Sequence, residues 1–176
     1  MIKEEIEKTF YLGQKLPKAI ADICDYLDKN GYPISGCFEL STIGMDDIRH
    51  WFKKSPEAVD SLMPFGRGAC GDIYALWLIN NSNPEDAPVV MFGSEGELTV
   101  LAKNANEFCM LLCLGYSELG LDNHGKVGAD YEETQPFREY IQNIYNFQLP
   151  QTAEETINQA NQMYPSFQSW VENNAW

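Results

Sequence analysis

At 176 residues, with 44% hydrophobic and 12% aromatic content, the chain is long and apolar enough to bury one core, and this composition argues against disorder. A formal net charge of −14 argues against nucleic acid and anionic membranes as ligands, because both are captured by basic surfaces.

The elements read as follows in chain order. Ile2, Ile6 and Phe10 recur at spacing four, a short helical signal. Leu16-Pro17 opens a better helix, with Pro17 suited to the first turn and Ile20, Ile23, Cys24 and Leu27 on one face. Asn30-Gly31 ends it, Gly31 being free to take a left-handed cap. Ile34 to Leu40 reads as a short strand. A helix follows from Met45, with Ile48, Trp51 and Phe52 on one face, and Ser55-Pro56-Glu57 starts another turn or two.

In the stretch from Met63 to Asp72, Gly66-Arg67-Gly68-Ala69-Cys70-Gly71 reads as a tight glycine turn that feeds the apolar run Ile73 to Ile79. That run is apolar on both faces, which predicts a central strand covered on each side. Pro88 to Phe92 and Leu98 to Ala102 are the next strands, joined by the hairpin loop Gly93-Ser94-Glu95-Gly96-Glu97. Asn104 caps a helix, with Glu107 as its capping-box partner and Phe108, Met110, Leu111, Leu112 and Leu114 marking it for the core. Leu119 to Tyr131 is a loop.

The tail is helical. Phe137, Tyr140, Ile141, Ile144 and Tyr145 make one stripe, which Pro150 breaks. Thr152 and Glu155 form a second capping box before Ile157, Ala160 and Tyr164. A last turn after Pro165 carries Phe167, Trp170 and Val171. Packing of this tail on the same chain is the simplest way to cover its aromatic faces.

No catalytic constellation stands out. Gly66 to Gly71 matches Gly-x-Gly-x-x-Gly, but it precedes a strand instead of opening a helix, so it is no dinucleotide site. No kinase lysine or metal-binding acid motif follows it. His50 and His124 lack metal-ligand spacing, and Cys24, Cys37, Cys70, Cys109 and Cys113 include no Cys-x-x-Cys pair. A Cys–His nucleophilic pair meeting only in space stays open. No cofactor, metal or catalytic residue is assigned.

The five cysteines, an odd number, fit reduced thiols. Met1-Ile2-Lys3-Glu4-Glu5 turns acidic at once, without the apolar stretch of a signal peptide. Phe108 to Tyr116, the most apolar run, is far short of the roughly 20 residues of a membrane span. The expected location is cytoplasmic.

Charge is unevenly spread. Arg67 is the only cation between Lys54 and Lys103, a stretch that carries Glu57, Asp60, Asp72, Glu85, Asp86, Glu95 and Glu97. After Lys126 the only cation is Arg138. Such a field steers basic partners. Glu95 and Glu97, two apart around a glycine, are expected to share an outward edge and to join Glu85 and Asp86 in one acidic rim.

From Leu16 to Leu119 the order of parts resembles the SUKH superfamily, which includes Smi/Knr-type cell-wall regulators and bacterial toxin-immunity proteins. The parts are the Leu16-Pro17 helix, the turn Lys29-Asn30-Gly31-Tyr32, and the glycine turn before Asp72-Ile73-Tyr74-Ala75-Leu76-Trp77. Pro88-Val89-Val90 and the helix Ala105-Asn106-Glu107-Phe108-Cys109-Met110-Leu111-Leu112 complete them. The family pattern often has two glycines in the early turn, where this chain has Gly31-Tyr32, and the segment after Leu119 is less typical. The resemblance implies an α+β fold, a mostly antiparallel sheet flanked by helices, here with a helical C-terminal extension over 131–176 in a single domain. It also implies protein binding without catalysis. The leading expectation is an immunity-type protein that occludes a basic toxin domain, such as a nuclease, through Asp72, Glu85, Asp86, Glu95 and Glu97. The alternative is a regulatory or scaffold module of the Smi/Knr type with no toxin partner. The sequence assigns no oligomeric state.

Overall fold

The computed structural model describes residues 1–175. Its centre is an antiparallel five-stranded sheet in the order β1-β2-β3-β4-β5, formed by β1 (Glu39–Leu40), β2 (Leu62–Arg67), β3 (Ile73–Trp77), β4 (Val89–Phe92) and β5 (Leu98–Ala102). The helices are α1 (Ile2–Glu7), α2 (Lys18–Asn30), α3 (Gly44–Arg49), α4 (Ala105–Leu112), α5 (Gln135–Tyr145), α6 (Glu154–Met163) and α7 (Phe167–Ala175). The fold is α+β with a helical C-terminus, as expected.

The all-apolar run on β3 is explained by two covered faces. Tyr74 and Leu76 point into one core with Met63, Phe65, Val89, Met91 and Leu101, under α2, α4 and α5. Ile73, Ala75 and Trp77 point into the other with Leu62, Val90, Phe92 and Val100, under α3 and α7. A period of two with both faces buried leaves no polar position, which is why the run carries no alternation.

Two strands depart from expectation. Only Glu39–Leu40 of the stretch from Ile34 is strand. The chain turns at Gly36, whose φ is +50° and whose Cα lies so close to Tyr116 that a Cβ would fall 2.0 Å from the Tyr116 carbonyl oxygen. Conversely, Leu62–Arg67 is a full strand, and it takes in Gly66 and Arg67, which the sequence places in the glycine turn. Its register with β3 slips between Pro64 and Gly66. Pro64 is tolerated because β1 pairs only with Gly66 and Arg67, leaving no strand beside it that needs an N–H.

The C-terminal helices complete the core. Phe167, Val171 and Ala175 of α7 are buried against Trp77, Phe92 and Phe52. Helix α6 runs along the edge strand β5. There the Asn161 side chain accepts from Val100 N (3.2 Å) and donates to Val100 O (2.8 Å), so an amide closes the free sheet edge.

Capping follows the sequence at α4, where Asn104 Oδ1 accepts from Glu107 N at 3.0 Å. The Glu107 carboxylate returns to Lys103 N instead of the cap residue. The expected Thr152–Glu155 box at α6 does not form. Its N-cap is Ala153, and the first free amides are met from afar: Ala153 N donates to the Tyr116 hydroxyl (2.9 Å) and Glu154 N to His124 O (3.1 Å). Among the described residues, no helix is long and apolar enough to cross a membrane.

Candidate functional site

In an antiparallel meander, successive connections fall at alternate ends. The 68–72 turn and the 93–97 hairpin therefore share one end of the sheet, and the β3–β4 connection, with Glu85 and Asp86, lies at the other. The single acidic rim expected from the sequence is split. At the far end both carboxylates are exposed, and Glu85 Oε1 accepts from Lys18 N at 2.8 Å. It caps α2, whose own N-cap residue, Pro17, offers no side-chain acceptor.

Asp72 is the second correction. It is fully buried and cannot touch a partner. Its Oδ1 accepts from Ser94 N at 3.1 Å and so ties the 68–72 turn to the hairpin. Beside it, Glu118 Oε1 accepts from Ala69 N at 2.7 Å. The remaining oxygens, Asp72 Oδ2 and Glu118 Oε2, are buried with no other donor, and both lie over Gly68, where a Cβ would meet them at 3.0 and 2.3 Å. Burial raises the Glu118 carboxyl above its ordinary value, the Ala69 N–H opposes this, and the Asp72 charge pushes upward again.

This arrangement has a pH consequence. Because Glu118 holds its proton more tightly folded than unfolded, its contribution to stability is complete below the ordinary glutamate range. It is lost as pH rises through the raised folded value. Glu118→Gln, which keeps a permanent donor toward Asp72, is expected to be more stable than the parent at pH 7, with the gap closing toward pH 4. Urea midpoints at the two pH values check this, and a gap of constant size contradicts it.

The hairpin held by Asp72 borders an open groove of about 590 Å³, lined by Trp51, Ser94, Gly96, Glu97, Leu98, Gln168, Val171 and Glu172. Trp51 is half-buried, with its ring edge-on to Phe92 at 5.6 Å. Leu98 and Val171 give further apolar surface, while Glu97 and Glu172 are exposed at the rim with Glu95 nearby on the hairpin. This lining has two carboxylates and no cation, and Arg49, close by on α3, is engaged by Asp46 at 3.0 Å. The hairpin's shape is local: Gly93 N donates to Glu97 O (2.7 Å), and Gly96 takes φ +101°. The sequence pointed to Glu95 and Glu97. Trp51 and Glu172 were missed because they are brought together only where the turn after α3 and helix α7 cross the same sheet face.

The candidate nucleophiles are dispersed. His50 Nδ1 donates to Asp46 O (2.8 Å), and His124 Nε2 donates to Leu119 O (2.5 Å) beneath the Tyr116 ring. Neither ring is hydrogen-bonded to a cysteine or carboxylate among the described residues. Burial pushes the Cys24 and Cys113 thiols up to about 12 and Cys109 well above its ordinary value. Exposed Cys70 is raised chiefly by the Glu118 charge, and exposed Cys37 chiefly by desolvation. Nothing here favours a thiolate. Among the described residues, no cluster of three or more His, Cys, Asp or Glu could hold a metal.

No protein-family model matches the chain, and no curated protein or solved structure does so either.

Proposed function

We propose that this protein is a non-catalytic, intracellular protein-binding domain that captures a basic partner. In the leading reading it is an immunity protein of the SUKH type neutralising a basic toxin domain, such as a nuclease. The observation that carries the reading is the groove beside the β4–β5 hairpin. A fixed aromatic anchor, Trp51, stands in an apolar floor under a carboxylate rim, in a chain of net charge −14. Apolar floors with aromatic anchors concentrate binding energy, while the charged rim sets association rate and partner choice. Of the five acids named from sequence, Glu95 and Glu97 belong to this surface, Asp72 supports it from inside, and Glu85 and Asp86 lie away from it.

The test is a paired capture from native lysate with the tagged parent and with a Glu95→Lys/Glu97→Lys/Glu172→Lys variant, at low and high salt. The expected result is a basic protein with a toxin-like domain held by the parent. Its recovery should fall by about tenfold or more in the variant, by analogy with reversed charges at steered interfaces. Equal recovery of the same proteins by both forms removes the groove from the account. A captured set of housekeeping or envelope proteins of mixed charge, insensitive to salt, supports the regulatory-module alternative instead.

A further inference from the structure

Arg138 is the only cation after Lys126, and it is buried, with 8% of its surface exposed. Its Nη1 donates to Cys113 O (3.1 Å) and Tyr131 O (2.9 Å), and the guanidinium sits 3.8 Å from the Tyr131 ring centroid. No carboxylate pairs with it among the described residues. Its remaining donors make no hydrogen bond to protein and are not sealed off. Arg138 is among the residues that line an open cavity of about 600 Å³ between α5, the 127–131 segment and the 147–151 connection. The other lining groups are uncharged. Gln142, Gln148 and Gln151 supply amides, and Leu114, Val127, Phe147, Leu149 and Pro150 supply apolar walls.

A guanidinium stays charged at any accessible pH. Largely buried, with two carbonyls and one ring as its protein partners, it lacks the counter-charge that such a group ordinarily has. Its planar fork matches a carboxylate in two parallel hydrogen bonds. In a strongly acidic protein, a cavity with one cation and no acid among its lining residues favours an anion. Its apolar walls and size suit a small organic body.

We propose that this cavity binds the carboxylate of a ligand with an apolar body, either a small carboxylic acid or the free C-terminus of a peptide. The site lies away from the hairpin groove and shares no lining residue with it, so it stands or falls independently of the partner-binding reading.

The experiment titrates the full chain with phenylacetate, with an N-acetylated Leu-Phe dipeptide bearing a free C-terminus, and with the amide of each. It follows the Arg138 Nε–H signal in a nitrogen–proton correlation spectrum. Saturable movement of that signal with an acid and not with its amide is expected, and whichever acid binds more tightly identifies the source of the carboxylate. Arg138→Gln removes the reporting signal itself, together with the hydrogen bonds to Cys113 O and Tyr131 O. The deciding variants are therefore at Val127, which is 47% exposed and needs no repacking. Val127→Asp should weaken the acid by about three- to tenfold and Val127→Lys should strengthen it by a similar factor, as expected for a charge at the cavity mouth. No saturable movement with either acid up to about 20 mM, well beyond the range of specific sites, overturns the proposal. So does equal binding of acid and amide, or binding indifferent to both Val127 variants.

Discussion

Removal of the residues after Tyr164 is expected to abolish cooperative folding at 25 °C. Phe167 and Val171 are each about 2% exposed, and complete burial of such side chains contributes about 1.5–3 kcal/mol apiece. Their loss also uncovers the aromatic cluster they close. Trp77 stands 5.1 Å from Phe167 and 5.2 Å from Trp170, Phe92 is 5.6 Å from Phe167, and Phe52 is 5.5 Å from Trp170. The final carbonyls of α7 accept from Lys53 N and Ser55 N, so truncation strands those amides as well. Against a total stability of about 5–15 kcal/mol for a domain, this loss leaves little. The truncated chain should show a broad, early urea transition by circular dichroism and bind a hydrophobic dye. A transition within about 0.5 kcal/mol of the parent, the range of neutral surface changes, contradicts the view that α7 is part of the core.

Gly128→Ala should cost about 3 kcal/mol or somewhat more, the upper end for overpacking, because what it meets is backbone. A Cβ at Gly128 would lie 2.1 Å from the carbonyl carbon and oxygen of Gly115 and 2.3 Å from Tyr116 N. Two strands of irregular chain are pressed together there by Gly128 N donating to Leu114 O (3.1 Å) and Asp130 N to Gly115 O (2.9 Å). Separating them breaks both bonds. It also displaces Tyr116, whose hydroxyl donates to Lys126 O (2.5 Å) and receives Ala153 N at the start of α6. Gly125→Ala is the control. Its nearest contact would be the Asn123 side chain at 3.3 Å, and a shift under about 0.5 kcal/mol is expected. Urea midpoints of the two variants decide it, and equal costs contradict the close-packed seat.

The hydrophobic pattern of this chain announces what is local. The doubly covered β3, the hairpin, α2 and the Asn104 cap are each read from neighbouring residues, and each is found. What escapes is set by distant chain. Leu62–Arg67 contains a proline and ends in Gly66 and Arg67, which read as the start of a turn, and it pairs as a strand only because β3 lies beside it and β1 is two residues long. Thr152 has the right spacing for a capping box, yet Tyr116 and His124 already meet the first amides of α6 from far along the chain, Tyr116 being 37 residues from Ala153. Asp72 differs from Glu95 in nothing local. It is buried because the hairpin folds over it and offers Ser94 N. The half of the groove contributed by Trp51 and Glu172 depends on the turn after α3, which the periodicity read as more helix, and on α7, which it could not assign to a sheet face.

The central claim is that the hairpin groove, and not the opposite end of the sheet, is where a basic partner docks. Hydrogen–deuterium exchange of the full chain, free and bound to the captured partner, locates the contact. The account predicts slowed exchange in 93–98, around Trp51 and across 168–172, weakening in high salt. Protection confined to 84–86 and the start of α2, with the hairpin unchanged, would contradict it.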